Sequence, residues 1–320
     1  MLRCKPHRST YVNIRLAVRF LRALHLSIFE QPSNRHLRMC PNIESGRRWI
    51  RSSMKNKFSS FSPAQITGII FLSVAAAVLF INSLLAIDVA LFYILLCVAA
   101  SFFPRSNFFL PVISRGDTDK NLVALTFDDG PSEPITRQIL ELLDRYSVKA
   151  TFFVSGVNAL KHPDIIAEII ARGHTIGNHS LHHNPFLMLG SYNYLYQEIF
   201  RAQEILKEMG VQTSAFRPPV GIISPKLPSV LNKLGMFCVT FSCRAFDAGN
   251  RRVKNLSVKI LKKVKADDII LLHDAAPRGK EGIDILLSEI EKILKGLSSK
   301  GLKVVPLSDL IGKEIMKIEG

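Results

Sequence analysis

From Ile66 to Phe103 the chain runs for 38 residues without a lysine or an arginine. That absence argues against a solvated surface segment, and the length argues against a secretory signal peptide, whose apolar stretch is shorter and ends at a small-residue cleavage site. A helix that crosses a bilayer takes about 20 residues. The stretch therefore reads as two spans joined by a tight polar turn near Asn82 to Asp88, with a buried helical hairpin of a soluble protein as the alternative. Acidic side chains are scarce at the start of the chain: residues 1–62 hold 13 Lys and Arg against 2 Glu, or +11 of a net charge of +16. The remaining residues carry 29 basic and 24 acidic side chains, only +5, which speaks against nucleic acid as a partner of the folded part. Cysteine is sparse too. Cys4, Cys40, Cys97, Cys238 and Cys243 show neither a paired framework nor metal-ligand spacing. Cys238 and Cys243 are expected as reduced core residues on opposite faces of one strand.

What borders the stretch without Lys or Arg is positive charge, with Arg47, Arg48, Arg51, Lys55 and Lys57 before it and Arg105, Arg115 and Lys120 after it. Two spans with basic flanks place both flanks, and the main domain, on the cytoplasmic side of a multi-pass membrane protein. A single span would put the domain on the opposite side. Tyr11 to Phe29 sets Arg15, Arg19 and Arg22 at helical spacing among apolar residues, a pattern for a helix lying on a membrane. The competing expectation is that everything before Met54 is an over-long start with no selected role. The expected organisation is a basic segment over 1–62, disordered or misassigned, then two transmembrane helices over 63–104 and one folded domain over 117–312.

After Asp117, apolar runs alternate with helical patterns. Strands are expected at Leu122–Phe127, Ala150–Val154, Thr175–Asn178, Ala215–Arg217, Phe237–Ser242, Ile269–Leu272 and Lys303–Val305. Ser132 and Pro134 open a helix with Ile135, Ile139 and Leu142 as its inner stripe. Ile199, Ala202, Leu206 and Met209 repeat at three and four before Gly210 stops that helix, and Ile283, Leu287, Ile290, Leu294 and Leu297 repeat likewise. Strands separated by helices indicate parallel βα units. In a closed barrel of such units, sites collect at the C-terminal strand ends.

Those ends are polar. The first strand breaks into Thr126-Phe-Asp-Asp-Gly-Pro131, and adjacent carboxylates there cannot both be buried unless a cation holds them. Asp128 and Asp129 thus point to a metal or a proton-transfer site, against the alternative of a plain solvated turn. The third strand delivers His179-Ser-Leu-His-His183; histidines four apart share a face if the segment is helical and can clamp one cation. His182, His162 and His174 are expected as bystanders. Arg217-Pro-Pro-Val-Gly221 ends the fourth strand, and its prolines hold Arg217 ready to pair with a carboxylate. Arg244-Ala-Phe-Asp247 follows the fifth, and His273-Asp274 ends the sixth. Taken singly, Arg217 and Asp247 fit a surface turn and His273 a core histidine; five polar strand ends in order are harder to dismiss.

In order and spacing these residues resemble the polysaccharide deacetylase family, also called NodB-like or carbohydrate esterase family four, over nearly all of 121–310. The resemblance implies an α/β fold, a distorted (β/α) barrel with about seven parallel strands, and a divalent metal, Zn2+ by preference. It implies Asp129, His179 and His183 as metal ligands, Asp128 as general base, Arg217 as its partner, His273 as general acid and Asp247 as the carboxylate that orients it. Val220 would offer a backbone N–H to the oxyanion, and Leu271 would line an acetyl pocket. The chain departs from the family pattern in three places: Val220 stands where Tyr is usual, Ala248 where Trp is frequent, and Arg244 where an Asp is expected.

The expected function is a metal-dependent hydrolase that removes N-acetyl groups from amino sugars of a polysaccharide, peptidoglycan or lipid-linked glycan, in the inner or plasma membrane of a bacterium. Its partners are then an N-acetylated glycan or lipid-linked saccharide and the membrane. The same hydrolysis on another acylated amine, or a non-catalytic membrane-tethered glycan-binding module, are the alternatives.

Overall fold

The run Leu122–Phe127 has no polar face to give to water, so it must be covered on both sides. The computed structural model, which describes residues 61–279 and 281–318, shows what covers it. In chain order the elements are α1 (Pro63–Leu79), α2 (Ser83–Ser101), β1 (Val112–Ile113), β2 (Leu122–Asp128), α3 (Ile135–Arg145), β3 (Thr151–Val154), α4 (Gly156–Lys161), α5 (Pro163–Ala171) and β4 (Thr175–Asn178). There follow α6 (Tyr192–Glu208), β5 (Val211–Thr213), β6 (Ala215–Phe216), α7 (Leu227–Leu234), β7 (Phe237–Val239), β8 (Cys243–Arg244), α8 (Leu256–Lys263), β9 (Ile269–His273), α9 (Gly282–Ser299), β10 (Lys303–Val304), α10 (Leu307–Ile311) and β11 (Met316–Ile318).

The strands form one parallel sheet in the order β1-β7-β6-β4-β3-β2-β9-β8, with β10 against the start of β2, while β5 and β11 pair separately as an antiparallel ribbon. Along β2, Val123, Leu125 and Phe127 face outward into a layer made by Ile135, Ile139 and Leu142 of α3 and Ile290, Leu294 and Leu297 of α9. Ala124 faces inward with Phe153, Ala215, Val239, Phe241 and Leu271. Higher along the same inner face come Thr126 and Asp128, so the apolar plug gives way to polar side chains at the C-terminal end. The expected helical stripes are the buried ones: Ile139, Ile199, Ala202, Leu206, Ile290 and Leu297 are all fully buried.

The expected strand Phe237–Ser242 is two pieces. β7 lies next to one end of the sheet and β8 forms the other end, with only residues 240–242 between them. Four Cα steps reach at most about 14 Å, so the sheet must curl until its ends nearly meet. It is a half-barrel, bent into a ring without a closing ladder. The crossing is stitched on both sides: Thr240 N–H donates to the Ile113 carbonyl at 2.8 Å, and Ser242 N–H to that of Ile269 at 3.0 Å. Cys238 and Cys243 consequently lie on different strands rather than on opposite faces of one, and both are buried free thiols pushed up, to about 12 and about 11, by burial.

Thr67–Tyr93 forms a unit of its own, apart from residues 62–66 and 94–318. Within that unit Phe71 stacks on Phe92 and Tyr93, with centroids 5.7 and 5.8 Å apart. The polar turn is tighter than expected: Asn82 Oδ1 accepts the Leu84 N–H at 2.9 Å and starts α2, leaving Asp88 inside the helix. Only α2, at 19 residues, is long and apolar enough among the described residues to cross a membrane; α1 has 17. The expectation of two spans, and with it a multi-pass protein, is not supported. The basic segment with its Tyr11–Phe29 pattern lies outside the described residues.

Candidate active site

Asp128 ends β2 on the inner face, where a lone carboxylate would be costly to bury. Arg217 meets it there. With no exposed surface at all, its Nη1 donates to Asp128 Oδ1 at 2.7 Å and to Thr126 Oγ1 at 2.7 Å, and its Nη2 donates to the Thr240 carbonyl at 2.9 Å. The guanidinium also lies 3.9 Å from the centre of the Phe153 ring. Burial lowers the Arg217 pKa and the Asp128 charge resists that shift. Removing one partner of such a pair leaves an uncompensated buried charge, which is worth about 3–5 kcal/mol.

Asp129, at φ 80, turns the next carboxylate towards the histidines that follow β4. His183 Nε2 stands 3.0 Å and His179 Nε2 3.6 Å from Asp129 Oδ1, and the ligand atoms of all three lie within 4.8 Å of one another. The histidines converge without a helix. The segment after Asn178 is a loop in which Ser180 and His183 adopt φ 68 and φ 53. Asn178 Oδ1 accepts the Ser180 N–H at 2.9 Å, and Ser180 Oγ accepts the His183 N–H at 3.1 Å. Such side-chain turns do locally what helical spacing was expected to do. His179 Nδ1 donates to the Arg217 carbonyl at 2.7 Å, which turns Nε2 towards Asp129 Oδ1 and Asp128 Oδ2, at 3.6 and 3.7 Å. Although burial works against it, hydrogen bonding and the charges of the histidines hold the Asp129 carboxyl well below the usual range. One carboxylate and two correctly oriented imidazoles suit a divalent ion with an open coordination position.

His273 ends β9, beside β2 and in register with Asp128. Its Nδ1 lies 2.7 Å from Asp247 Oδ2, and Asp247 also accepts the Asn250 N–H at 3.2 Å. Asn250 Nδ2 reaches the carbonyls of His273 and Ala275, each at 2.8 Å, and so fixes the loop to the strand end. Burial opposes the charge on His273, but the Asp247 hydrogen bond and the nearby carboxylates raise its pKa to about 9. Asp247 is lowered in turn by His273, against its own burial.

Leu271 precedes His273 by two residues, on the same face of β9, and is 5% exposed among the inner apolar residues. Val220 lies in the turn Pro219–Gly221 directly after Arg217, with φ 52 and a half-exposed side chain. Two of the three expected bystanders are engaged elsewhere. His182 Nδ1 pairs with Glu198 at 2.7 Å, and His174 is buried, pushed down to about 4, with its Nδ1 accepting the Ala150 N–H at 3.1 Å.

Several supporting residues were not anticipated. Thr126 sits within the motif itself and holds Arg217; Asn178, Ser180 and Asn250 are turn formers whose role needs the loop geometry. Asp274 is buried, pushed up to about 7 by burial and by the Asp129 charge, with Thr136 Oγ1 donating to it at 2.8 Å. It fills the space beside Gly130, where any side chain would overlap its carboxylate.

A family model described as polysaccharide deacetylase matches residues 115–239. The peptidoglycan-N-acetylglucosamine deacetylase PgdA of Listeria monocytogenes is 30% identical over 207 residues, which are 64% of this chain and only 42% of that protein. A crystal structure of a peptidoglycan N-acetylglucosamine deacetylase, in complex with 4-naphthalen-1-yl-N-oxidanyl-benzamide, superposes with a TM-score of 0.58 at 30% identity, covering 64% of this chain and 94% of that one. The chitooligosaccharide deacetylase of Azorhizobium caulinodans is 31% identical over 203 residues, 61% of this chain and 96% of that protein. With identity at that level held along almost the whole of a relative, and the same parallel half-barrel beneath it, the chain belongs to the polysaccharide deacetylase family.

Proposed function

We infer that the domain is a metal-dependent hydrolase that removes N-acetyl groups from the amino sugars of a glycan, with peptidoglycan, chitooligosaccharides or a lipid-linked saccharide as the candidate substrates. The observation that carries this reading is the convergence of Asp129, His179 and His183 between two separate buried pairs, Asp128 with Arg217 and Asp247 with His273. The names of the relatives support the substrate class.

Asp129, His179 and His183 would hold the ion, and the donor set fits Zn2+. When bound it supplies a Lewis acid for the acetamide carbonyl and brings the pKa of water from 15.7 towards about 7. Asp128, aimed by Arg217 and with its Oδ2 3.7 Å from His179 Nε2, accepts the proton of the attacking water as its oxygen bonds to the carbonyl carbon. The backbone N–H of Val220 donates to the developing oxyanion. His273 then gives its Nε2 proton to the sugar nitrogen as the carbon–nitrogen bond breaks, leaving acetate and a free amine. Asp247, on Nδ1, fixes the tautomer and stabilises the imidazolium. Leu271 supports the small pocket for the methyl group. A different acyl amine remains a second reading, favoured by Val220 and Ala248, which leave the rim without its usual aromatics.

We read α2 as the single span. With the +11 segment before it retained inside, the catalytic domain lies outside the cytoplasm, the reverse of what two spans would give.

The experiment is acetate release from N-acetylglucosamine oligomers by metal-loaded protein, paired with equilibrium dialysis for zinc. Wild type should bind one ion and release acetate, and Asp128→Ala should keep the ion and lose about 10²–10⁴ in rate. A wild type that binds no zinc, or equal acetate release by both proteins, would end this reading.

A further inference from the structure

The loop that presents Asp247 also carries features that the hydrolysis does not use. Phe246 and Ala248 have φ 57 and φ 56, a left-handed backbone that L-residues rarely adopt, and Phe246 is 59% exposed. The loop borders the metal-ligand cluster: a Cβ on Gly249 would lie 3.3 Å from Asp129 Oδ2. An apolar ring is thus held out to solvent, in a strained backbone, on the loop that carries Asp247 and reaches Asp129 through Gly249. Strain of that kind gathers where a ligand is clamped.

Two cations gather on the ring. The Arg244 guanidinium lies 4.1 Å and the Lys263 ammonium 5.1 Å from the Phe246 centroid, and Arg244 also lies 5.1 Å from that of Phe241. Arg244 pairs in register with Leu271 across β8 and β9, so its side chain leaves the sheet on the face that carries Leu271 and His273. Stacking engages the faces of a guanidinium and leaves its N–H edge free to bind. No hydrogen bond or ion pair to that edge is found among the described residues, although Arg244 is half-buried and its pKa is lowered by burial. The surrounding sequence amplifies the charge. From Arg244 to Lys265 there are 8 Lys and Arg and 1 Asp, or +7, while residues 63–320 as a whole carry +5.

We propose that Arg244, gathered with Lys263 on Phe246, is a specificity-determining residue that binds an oxyanion, a carboxylate or a phosphate, carried by the glycan beside the acetamido sugar. The proposal rests on the deacetylase reading for its substrate class. Its geometry explains the departures at the rim: an Arg stands where the family has an acid, and the aromatic is Phe246 before Asp247 rather than a Trp after it. The guanidinium edge takes the oxyanion, and the ring keeps the long basic side chains from wandering into water.

The test compares kcat/KM for three glycans of equal length: neutral N-acetylglucosamine oligomers, oligomers alternating with a sugar that bears a lactyl carboxylate, and oligomers ending in a phosphate. Wild type at low salt should favour one of the charged substrates by about tenfold, and rising salt should erase the preference. The substrate favoured identifies the oxyanion. Arg244→Ala and Phe246→Ala should bring the charged-to-neutral ratio close to one through KM, and Arg244→Lys should restore part of it. Equal rates on all three substrates in wild type, or a ratio untouched by Arg244→Ala, would overturn the proposal. Direct binding of the same glycans to the metal-loaded protein is measured alongside. If no acetate appears from any substrate, the deacetylase reading fails, and a binding preference for the charged glycan that Arg244→Ala abolishes would still uphold the oxyanion site; no such preference would sink both.

Discussion

His273 is the residue whose protonation the proposed chemistry needs most directly, and its pKa of about 9 comes from Asp247 above all, against its own burial. In the general-acid role proposed for it, His273 must carry its proton, so kcat/KM, which reports the free enzyme, should hold at neutral pH and fall as pH rises through about 9. Asp247→Asn removes the carboxylate, and the alkaline limb should move down towards the ordinary value of 6.5; a limb that stays in place would remove His273 from the acid role. The same pair contributes stability. Because the folded pKa is raised, that contribution is complete below about 6.5 and is lost as pH climbs through about 9, which urea titrations at pH 6 and pH 10 would read. At the ligand set the readout is metal content. His179→Ala should lose zinc at a concentration that saturates wild type and leave the fold intact, as judged by far-ultraviolet circular dichroism.

At the scale of elements, β2 organises the molecule because both its faces are buried and its last turn carries both carboxylates. Gly130→Ala should destabilise the domain by about 1–3 kcal/mol, since the added methyl overlaps the Asp274 carboxylate and neither can move freely. Thr126→Val should cost about 1–3 kcal/mol by leaving a buried guanidinium N–H without an acceptor, and acetate release should fall with it. A thermal melt unchanged for both variants would show that the strand end tolerates more than its packing implies. The longer strands β2, β3, β4 and β9 were legible in the sequence because an apolar run of four to seven residues bounded by turn formers has few other uses, and the helical stripes because their spacing survives any tertiary arrangement; β1, β5 and β11, of two or three residues each, were not expected. The split of Phe237–Ser242 was not legible. Its residues are uniformly strand-like, and only the position of the partner strands decides where pairing changes sides. The site was readable as a set of polar strand ends, yet the route by which His179 and His183 meet was not, because it depends on left-handed turns at Ser180 and His183 rather than on a period. Thr240 contributes through its carbonyl, which no side-chain pattern could reveal.

For the whole molecule, a single span at α2, as proposed, sets the side on which the domain would work. The stretch without Lys or Arg is long enough for two crossings by composition, but the turn at Asn82 divides it unequally, and among the described residues only α2 has the length to cross. One crossing reverses the side that two would give. Ser299 lies exposed at the end of α9, so a Ser299→Cys variant should react with a membrane-impermeant thiol reagent in intact cells. Protection from the reagent, with labelling after the membrane is permeabilised, would restore the cytoplasmic assignment.

The sheet's two ends meet through residues 240–242 and the backbone bonds at Thr240 and Ser242, with a second tie where Arg115 pairs with Asp268 and the Gly116 N–H donates to the Asp267 carbonyl. A cylinder fastened by a clasp opens at the clasp, so the native-state breathing of this protein should start there rather than within the β2–β9 pairing, and amide exchange should be fastest among the strand-adjacent residues at that point. The clasp also supplies the Thr240 carbonyl to Arg217 and leads into the loop of Asp247. Each opening would therefore loosen the Asp128–Arg217 and Asp247–His273 pairs in a single event, and a ligand gripping that loop would slow exchange at Thr240 without touching it.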